Sequence, residues 1–153
     1  MTLSGAISLA SAADTDALGA ALAGLLRIGD VVALSGPLGA GKTSLARGLL
    51  SALGLEEDAP SPSFAIVQPY APPEVRLPVW HIDLYRIENP AEIEELGLDD
   101  AREDAALLIE WPERMGDRLW ADALRLTLAV EESDARRLTA IVPPSWGDRW
   151  PPR

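Results

Sequence analysis

The sequence predicts an α/β fold of three layers: a mostly parallel central sheet between helices, with an antiparallel C-terminal hairpin. Three observations predict it. An apolar run, a glycine-rich loop and an amphipathic helix follow one another over residues 30–54. Two later apolar runs each end in a carboxylate, at Asp83 and at Glu110. Near the end, Leu124, Leu126, Leu128 and Val130 alternate with Arg125, Thr127 and Ala129, and Leu138, Ala140 and Val142 partly repeat the pattern after Glu131 to Ala135. Period-two alternation of this kind belongs to a hairpin with one buried face.

The glycine-rich loop is Gly36-Pro37-Leu38-Gly39-Ala40-Gly41-Lys42-Thr43. It fits G-x-x-x-x-G-K-[ST], so the fold is expected to be P-loop NTPase-like. The glycines allow a tight turn that aims successive N–H groups at phosphate oxygens. Lys42 would reach the β- and γ-phosphates, and the Thr43 hydroxyl would face Mg²⁺. Ser44 completes the nucleotide-binding set of residues 36–44. The flanks agree with the mechanism. Asp30 to Ser35 reads as a buried strand, and Lys42 to Leu53 as a helix with Leu45, Ala46, Leu49, Leu50 and Leu53 on one side and Gly54 at its end. A helix N-terminus adds its own attraction for phosphate. Lys42 is the only lysine in the chain. An arginine would serve for surface charge, but it is too long and planar to replace a compact ammonium inside such a loop.

The other elements follow in order. Ala6 to Ala10 reads as a first strand. Ser11 or Asp14 can cap a helix that runs to about Arg27, with Ala17, Leu18, Ala21, Leu22, Leu25 and Leu26 on its apolar face. Glu56 to Phe64, with two prolines and two serines, is a loop: either a plain connection or a switch that senses the γ-phosphate. Ala65 to Tyr70 and Leu77 to Asp83 read as strands around a turn at Ala71 to Glu74. Asn89-Pro90 begins a short helix stopped by Gly97, Asp99 to Ala106 forms another, and Leu107 to Trp111 is a buried strand. Asp83 and Glu110 thus sit at two strand ends beside Thr43. Three oxygen donors at one sheet edge suit a hard cation such as Mg²⁺, although each acid alone reads equally well as an ion-pair partner or a cap. Residues 143–153 are proline-rich and carry Trp146 and Trp150. They are either a tail packed over the sheet or a contact for a partner.

With 153 residues and no long linker, residues 1–153 are expected to be one domain. A net charge of −11 opposes independent binding to nucleic acid and favours docking onto a more basic protein. Cysteine is absent, no apolar run has the length of a membrane span, and Met1 to Ala6 lacks basic residues. A cytoplasmic location, without membrane contact, is the expectation.

Four stretches together carry a family resemblance: the loop at Gly36 to Thr43, Ser61-Pro62-Ser63-Phe64, His81-Ile82-Asp83-Leu84-Tyr85-Arg86, and Ile109-Glu110-Trp111-Pro112-Glu113. In this order and spacing, from about Thr15 to Glu113, the chain resembles the TsaE (YjeE) family of small bacterial P-loop ATPases. The resemblance implies a role in making N6-threonylcarbamoyladenosine at position 37 of tRNAs that read codons starting with A, in partnership with the TsaD and TsaB proteins. It implies ATP and Mg²⁺ as cofactors. Lys42 then contacts phosphates, Thr43 and Glu110 serve the metal, and Asp83 is the essential carboxylate for turnover, itself near the metal. Ser61 to Phe64 and Asp83 to Arg86 become switch-like segments, and Thr15 lies near the base. The chain departs from the usual pattern with Ser63 in place of threonine and Ile82 in place of phenylalanine. The first keeps the hydroxyl, and the second alters packing rather than chemistry.

Other P-loop readings are weaker. A small-molecule or nucleotide kinase needs an acceptor pocket and an arginine-bearing lid, and no arginine-rich insertion reads as one. A GTPase normally uses Asn-Lys-x-Asp, whereas Asn89 is the only asparagine and precedes Pro90. A non-catalytic nucleotide-binding adaptor uses the same residues as an ATPase. Arg86 is the nearest candidate for an arginine finger, beside Glu88.

Overall fold

A computed structural model describes residues 2–3, 6–37, 39–56, 67–133 and 135–152. Leu38 and the loop from Ser61 to Phe64 lie outside the described residues. Among the described residues, eight strands form one sheet. In chain order they are β1 (Thr2–Leu3), β2 (Ile7–Leu9), β3 (Val31–Ser35), β4 (Val67–Tyr70), β5 (Val79–Asp83), β6 (Ala106–Glu110), β7 (Leu124–Val130) and β8 (Arg136–Val142). The helices are α1 (Ala12–Ala23), α2 (Lys42–Ala52), α3 (Ala91–Glu94) and α4 (Leu98–Asp104).

The central strands β5, β6, β3 and β7 run parallel, and antiparallel pairing flanks them on both sides. There β4 pairs with β5, and β8 pairs with β7 and then with β1 and β2. The expected C-terminal hairpin is present, and the strand–turn–strand around Pro72-Pro73 supplies a second antiparallel pair.

Successive strand residues alternate between two apolar cores, as the pleat requires. Val32, Leu34 and Leu108 join Leu22, Leu45 and Leu49 in the layer of α1 and α2. Val31, Leu107 and Ile109 join Ile93, Leu98 and Met115 on the opposite face. Strands β3 and β6 are therefore covered on both sides and read as continuous apolar runs, whereas β7 alternates and exposes Thr127 and Ala129.

Several boundaries move from those the sequence predicts. The strand expected over Ala6 to Ala10 narrows to β2 (Ile7–Leu9), and the two-residue β1 precedes it. Ser11 wins the cap: its hydroxyl accepts from the Asp14 amide at 3.3 Å. Helix α1 stops at Ala23, before Gly24, so Arg27 lies in the following turn instead of on the last helical turn. Its buried positions are Thr15, Gly19, Leu22 and Ala23, while Ala17 is exposed. The small residues turn inward because α1 and α2 cross at backbone contact. A β-carbon on Gly19 would lie 2.3 Å from the Leu45 carbonyl oxygen, and one on Gly48 2.6 Å from that of Asp16.

Further on, Asn89 acts as the cap of α3. Its Oδ1 accepts from the Ala91 amide at 3.0 Å, and Glu92 accepts from the Asn89 amide at 3.4 Å, a capping box. Helix α4 spans Leu98–Asp104, since Ala105 is already extended and Ala106 opens β6. β6 ends at Glu110 because Trp111 adopts φ 60°, outside strand geometry. Two 3-10 segments, Pro112–Arg118 and Pro144–Arg149, have no counterpart among the predicted elements.

The tail packs onto the molecule. Trp146 and Trp150 join the core on the α1–α2 side. An indole hides roughly 150–250 Å², worth about 4–6 kcal/mol of gross burial for Trp146 at about 25 cal/mol per Å². Arg149 fastens the segment with two bonds to Asp30, at 2.7 and 3.0 Å, and one to the Leu25 carbonyl at 2.9 Å. Asp30 immediately precedes β3, so the tail braces the strand that delivers the glycine loop. Among the described residues, no helix is long and apolar enough to cross a membrane.

Candidate nucleotide and metal site

The site is assembled at the C-terminal ends of β3, β5 and β6, where loops leave a parallel sheet and leave backbone donors exposed. Gly36, Gly39 and Gly41 all have positive φ, at 143°, 80° and 104°. Gly36 has a second reason to lack a side chain: a β-carbon there would stand 2.5 Å from the Leu128 carbonyl oxygen on β7. Ala40 is fully buried behind the loop, and Pro37 is exposed. Gly41 leads into α2, whose first amides point back into the loop.

Lys42, Thr43, Ser44, Asp83 and Glu110 line one cleft of about 410 Å³, together with Gly39, Gly41, Tyr85, Arg86 and Trp111. The sheet register brings the acids together: Asp83 pairs with Glu110 across β5 and β6, and Glu110 with Leu34 across β6 and β3. Thr43 donates to Glu110 Oε1 at 3.1 Å. The donor set of one hydroxyl and two carboxylates is all hard oxygen, so these residues fit a magnesium ion that keeps several of its waters.

Lys42 is almost completely buried, and its Nζ donates to the Gly36 carbonyl at 2.6 Å. The same ammonium lies 3.5 Å from the ring centroid of Trp111, a cation–π contact. Burial lowers the Lys42 pKa, and the negative charges of Glu110, Glu113 and Asp83 oppose that shift. Asp83 shifts in the other direction. Desolvation raises its pKa, the Tyr85 amide at 2.9 Å works against the rise, and the Glu110 charge adds to it.

Thr15 is buried beside the loop, with its methyl 3.6 Å from where a β-carbon on Gly41 would be. Arg86 is exposed and lines the cleft mouth next to Tyr85, whose ring tilts against Trp111 at 5.0 Å.

Three contributors carry no role in the sequence reading. His81, fully buried on β5, contacts Glu110 Oε2 at 2.6 Å. Trp111 covers the lysine. Arg136 at the start of β8 donates to the Gly39 carbonyl at 3.2 Å, from 97 residues away. A lone histidine in an apolar strand could have been flagged by its nearness to the Asp83 strand end; nothing local marks Arg136.

Comparison with known proteins agrees with this architecture. The family model described as "Threonylcarbamoyl adenosine biosynthesis protein TsaE" matches residues 9–138. The tRNA threonylcarbamoyladenosine biosynthesis protein TsaE of Mycobacterium tuberculosis is 39% identical over 155 residues, covering 96% of this chain and 90% of that protein. The protein of the same name from Streptomyces coelicolor is 39% identical over 135 residues, covering 87% of this chain and 91% of that one. The crystal structure of Bacillus subtilis YdiB superposes with a TM-score of 0.81 at 25% identity, over 97% of this chain and 93% of its own. With a P-loop at the head of α2, two acids in register beside it, and a match across most of its length, the chain belongs to the TsaE family of threonylcarbamoyl adenosine biosynthesis proteins.

Proposed function

We propose that this chain is the Mg²⁺-dependent ATP-hydrolysing member of a tRNA-modifying assembly, acting in the cytoplasm with TsaD and TsaB on position 37 of tRNAs that read codons starting with A. The observation that carries the reading is the Thr43–Glu110 contact at 3.1 Å, with Asp83 the register neighbour of Glu110. Hydroxyl and carboxylate oxygens lying together beside the glycine-rich loop support the reading that Thr43, Asp83 and Glu110 would hold Mg²⁺. Bound there, the ion would supply charge neutralisation at the phosphate oxygens.

The chain's own residues do the remainder. The backbone N–H groups of Gly39 to Ser44 cradle the phosphates. Lys42 exchanges the Gly36 carbonyl for phosphate oxygen. Asp83, at the end of β5 beside Glu110, orients the attacking water and accepts its proton. Thr15 borders the base, and Asp83 to Arg86 senses the γ-phosphate. The net charge of −11 leaves tRNA binding to the partners.

The test is ATP hydrolysis with and without Mg²⁺, by the chain alone and with TsaD and TsaB from the same organism. Slow hydrolysis alone and clear stimulation by the pair are expected. Hydrolysis indifferent to the pair would overturn the partnership, and phosphoryl transfer to a small molecule would make the chain a kinase. In parallel, Lys42→Ala should weaken ATP binding by about 1.5–3 kcal/mol, the worth of a charge-assisted hydrogen bond, or roughly 10- to 150-fold in Kd. Calorimetric titration gives that ratio directly, and an unchanged Kd would remove Lys42 from the phosphate site.

A further inference from the structure

We propose that His81 is a positioning residue that makes Glu110 a one-oxygen ligand and so sets the preference of this site for Mg²⁺ over Ca²⁺. The proposal rests on the metal reading above and concerns a residue that reading leaves without a role.

The two carboxylate oxygens of Glu110 have different partners. Oε1 faces Thr43 at 3.1 Å, and Oε2 contacts His81 Nε2 at 2.6 Å. Both side chains of the second contact are buried, at 0% and 3% exposure. A carboxylate fixed in this way offers the cleft one oxygen. Mg²⁺ demands near-octahedral geometry at short distances with single oxygen contacts, whereas Ca²⁺ is larger and readily takes both oxygens of a carboxylate. Sequestering Oε2 therefore costs Ca²⁺ a contact that Mg²⁺ does not use.

The buried ring also fixes its proton. Among the described residues, Nδ1 has no hydrogen-bond partner. With the single proton on Nε2, the ring donates to Glu110 and leaves only a lone pair unmatched. A proton on Nδ1 would bury an N–H without an acceptor, which is the costlier arrangement. The arrangement matches the general use of outer partners to orient metal ligands, where loss of the partner costs about 10- to 100-fold in metal affinity.

Two measurements test this on the full chain. The first is binding of a fluorescent, non-hydrolysable ATP analogue, titrated separately with Mg²⁺ and Ca²⁺. His81→Asn, whose amide is too short to reach Oε2, should raise the Mg²⁺ half-saturation about tenfold and shrink the Mg²⁺/Ca²⁺ preference, with metal-free analogue binding unchanged. His81→Gln, whose amide can take the place of Nε2, should stay near wild type. An asparagine variant with wild-type titrations, or a glutamine variant that fails as asparagine does, would overturn the proposal. If His81→Asn does not fold, His81→Leu replaces it under the same criteria.

The second measurement needs no mutation. His81 is the only histidine in the chain, so a long-range ¹⁵N–¹H spectrum reports its tautomer without ambiguity. A proton on Nε2 is expected, and a ring without one there would contradict the assigned contact. Wild-type analogue binding that ignores both cations would instead sink the metal reading, and this proposal with it.

Discussion

Asp83→Asn is expected to lower ATP turnover by at least about 10²-fold while leaving nucleotide affinity near wild type, and to raise the melting temperature at neutral pH. The two effects have one origin. Asp83 lies at the end of β5, where desolvation raises its pKa and the neighbouring Glu110 charge adds to the rise. The Tyr85 amide and the Lys42 charge oppose it without cancelling it. Asparagine keeps an oxygen for the Tyr85 amide and removes the charge. The folded-state pKa is the higher one, so the folded chain holds its proton to higher pH than the unfolded chain does. Ionisation of Asp83 therefore destabilises the fold as pH rises past the unfolded value, and fully once pH exceeds the folded one. The variant's advantage should be present at neutral pH and vanish below about pH 4, where the wild-type carboxyl is protonated in both states. Thermal melts of both chains across that range measure it. Turnover persisting in Asp83→Asn would remove Asp83 from the chemistry. A variant less stable at neutral pH would mean that its carboxylate stabilises the fold instead of straining it.

The parts of this molecule that the sequence makes legible are those written in local spacing. Strand β3, the glycine loop and α2 are contiguous, so motif and periodicity identify them within two residues. Asp83 and Glu110 end apolar runs, and parallel pairing then makes them neighbours. The unread parts depend on residues far apart in the chain. Trp111 covers Lys42 only because it takes a left-handed backbone conformation that non-glycine residues seldom adopt. Arg149 meets Asp30 across 119 residues, and no local pattern distinguishes a packed proline-rich tail from a free one. His81 reads as an ordinary core position until β6 places Glu110 beside it. The loop from Ser61 to Phe64, read either as a switch or as a plain connection, falls outside the described residues.

The face of α1 shows the same limit energetically and leads to the second large effect. Hydrophobic periodicity rightly turns Leu18 and Leu22 toward the core but also selects the exposed Ala17, and the helices cross at Gly19 and Gly48, where the absence of a side chain is what matters. Gly19→Ala would gain about 1 kcal/mol in helix propensity. Against that, the new methyl would sit 2.3 Å from the Leu45 carbonyl oxygen and 2.8 Å from the Leu49 amide nitrogen, both backbone atoms of α2. Backbone cannot rotate away as a side chain can, so the two helices must separate, and overpacking of this kind costs about 1–3 kcal/mol or more. The clash should win, lowering the melting temperature by several degrees, since about 1 kcal/mol shifts a chain of this size by roughly 2–4 °C. Gly19→Val, with two further methyls, should lower it much more. Gly24→Ala is the control: Gly24 has φ −68°, and its nearest neighbour would be the Ala21 carbonyl oxygen at 3.6 Å. A neutral or slightly stabilising change, up to about 1 kcal/mol, is expected there. Separation of the helices would also draw Thr15 away from Gly41, so ATP affinity should fall in Gly19→Ala at temperatures where the chain is still folded. Gly19→Ala matching Gly24→Ala in both melting temperature and ATP affinity would show that α1 and α2 do not need this close crossing to hold the phosphate loop.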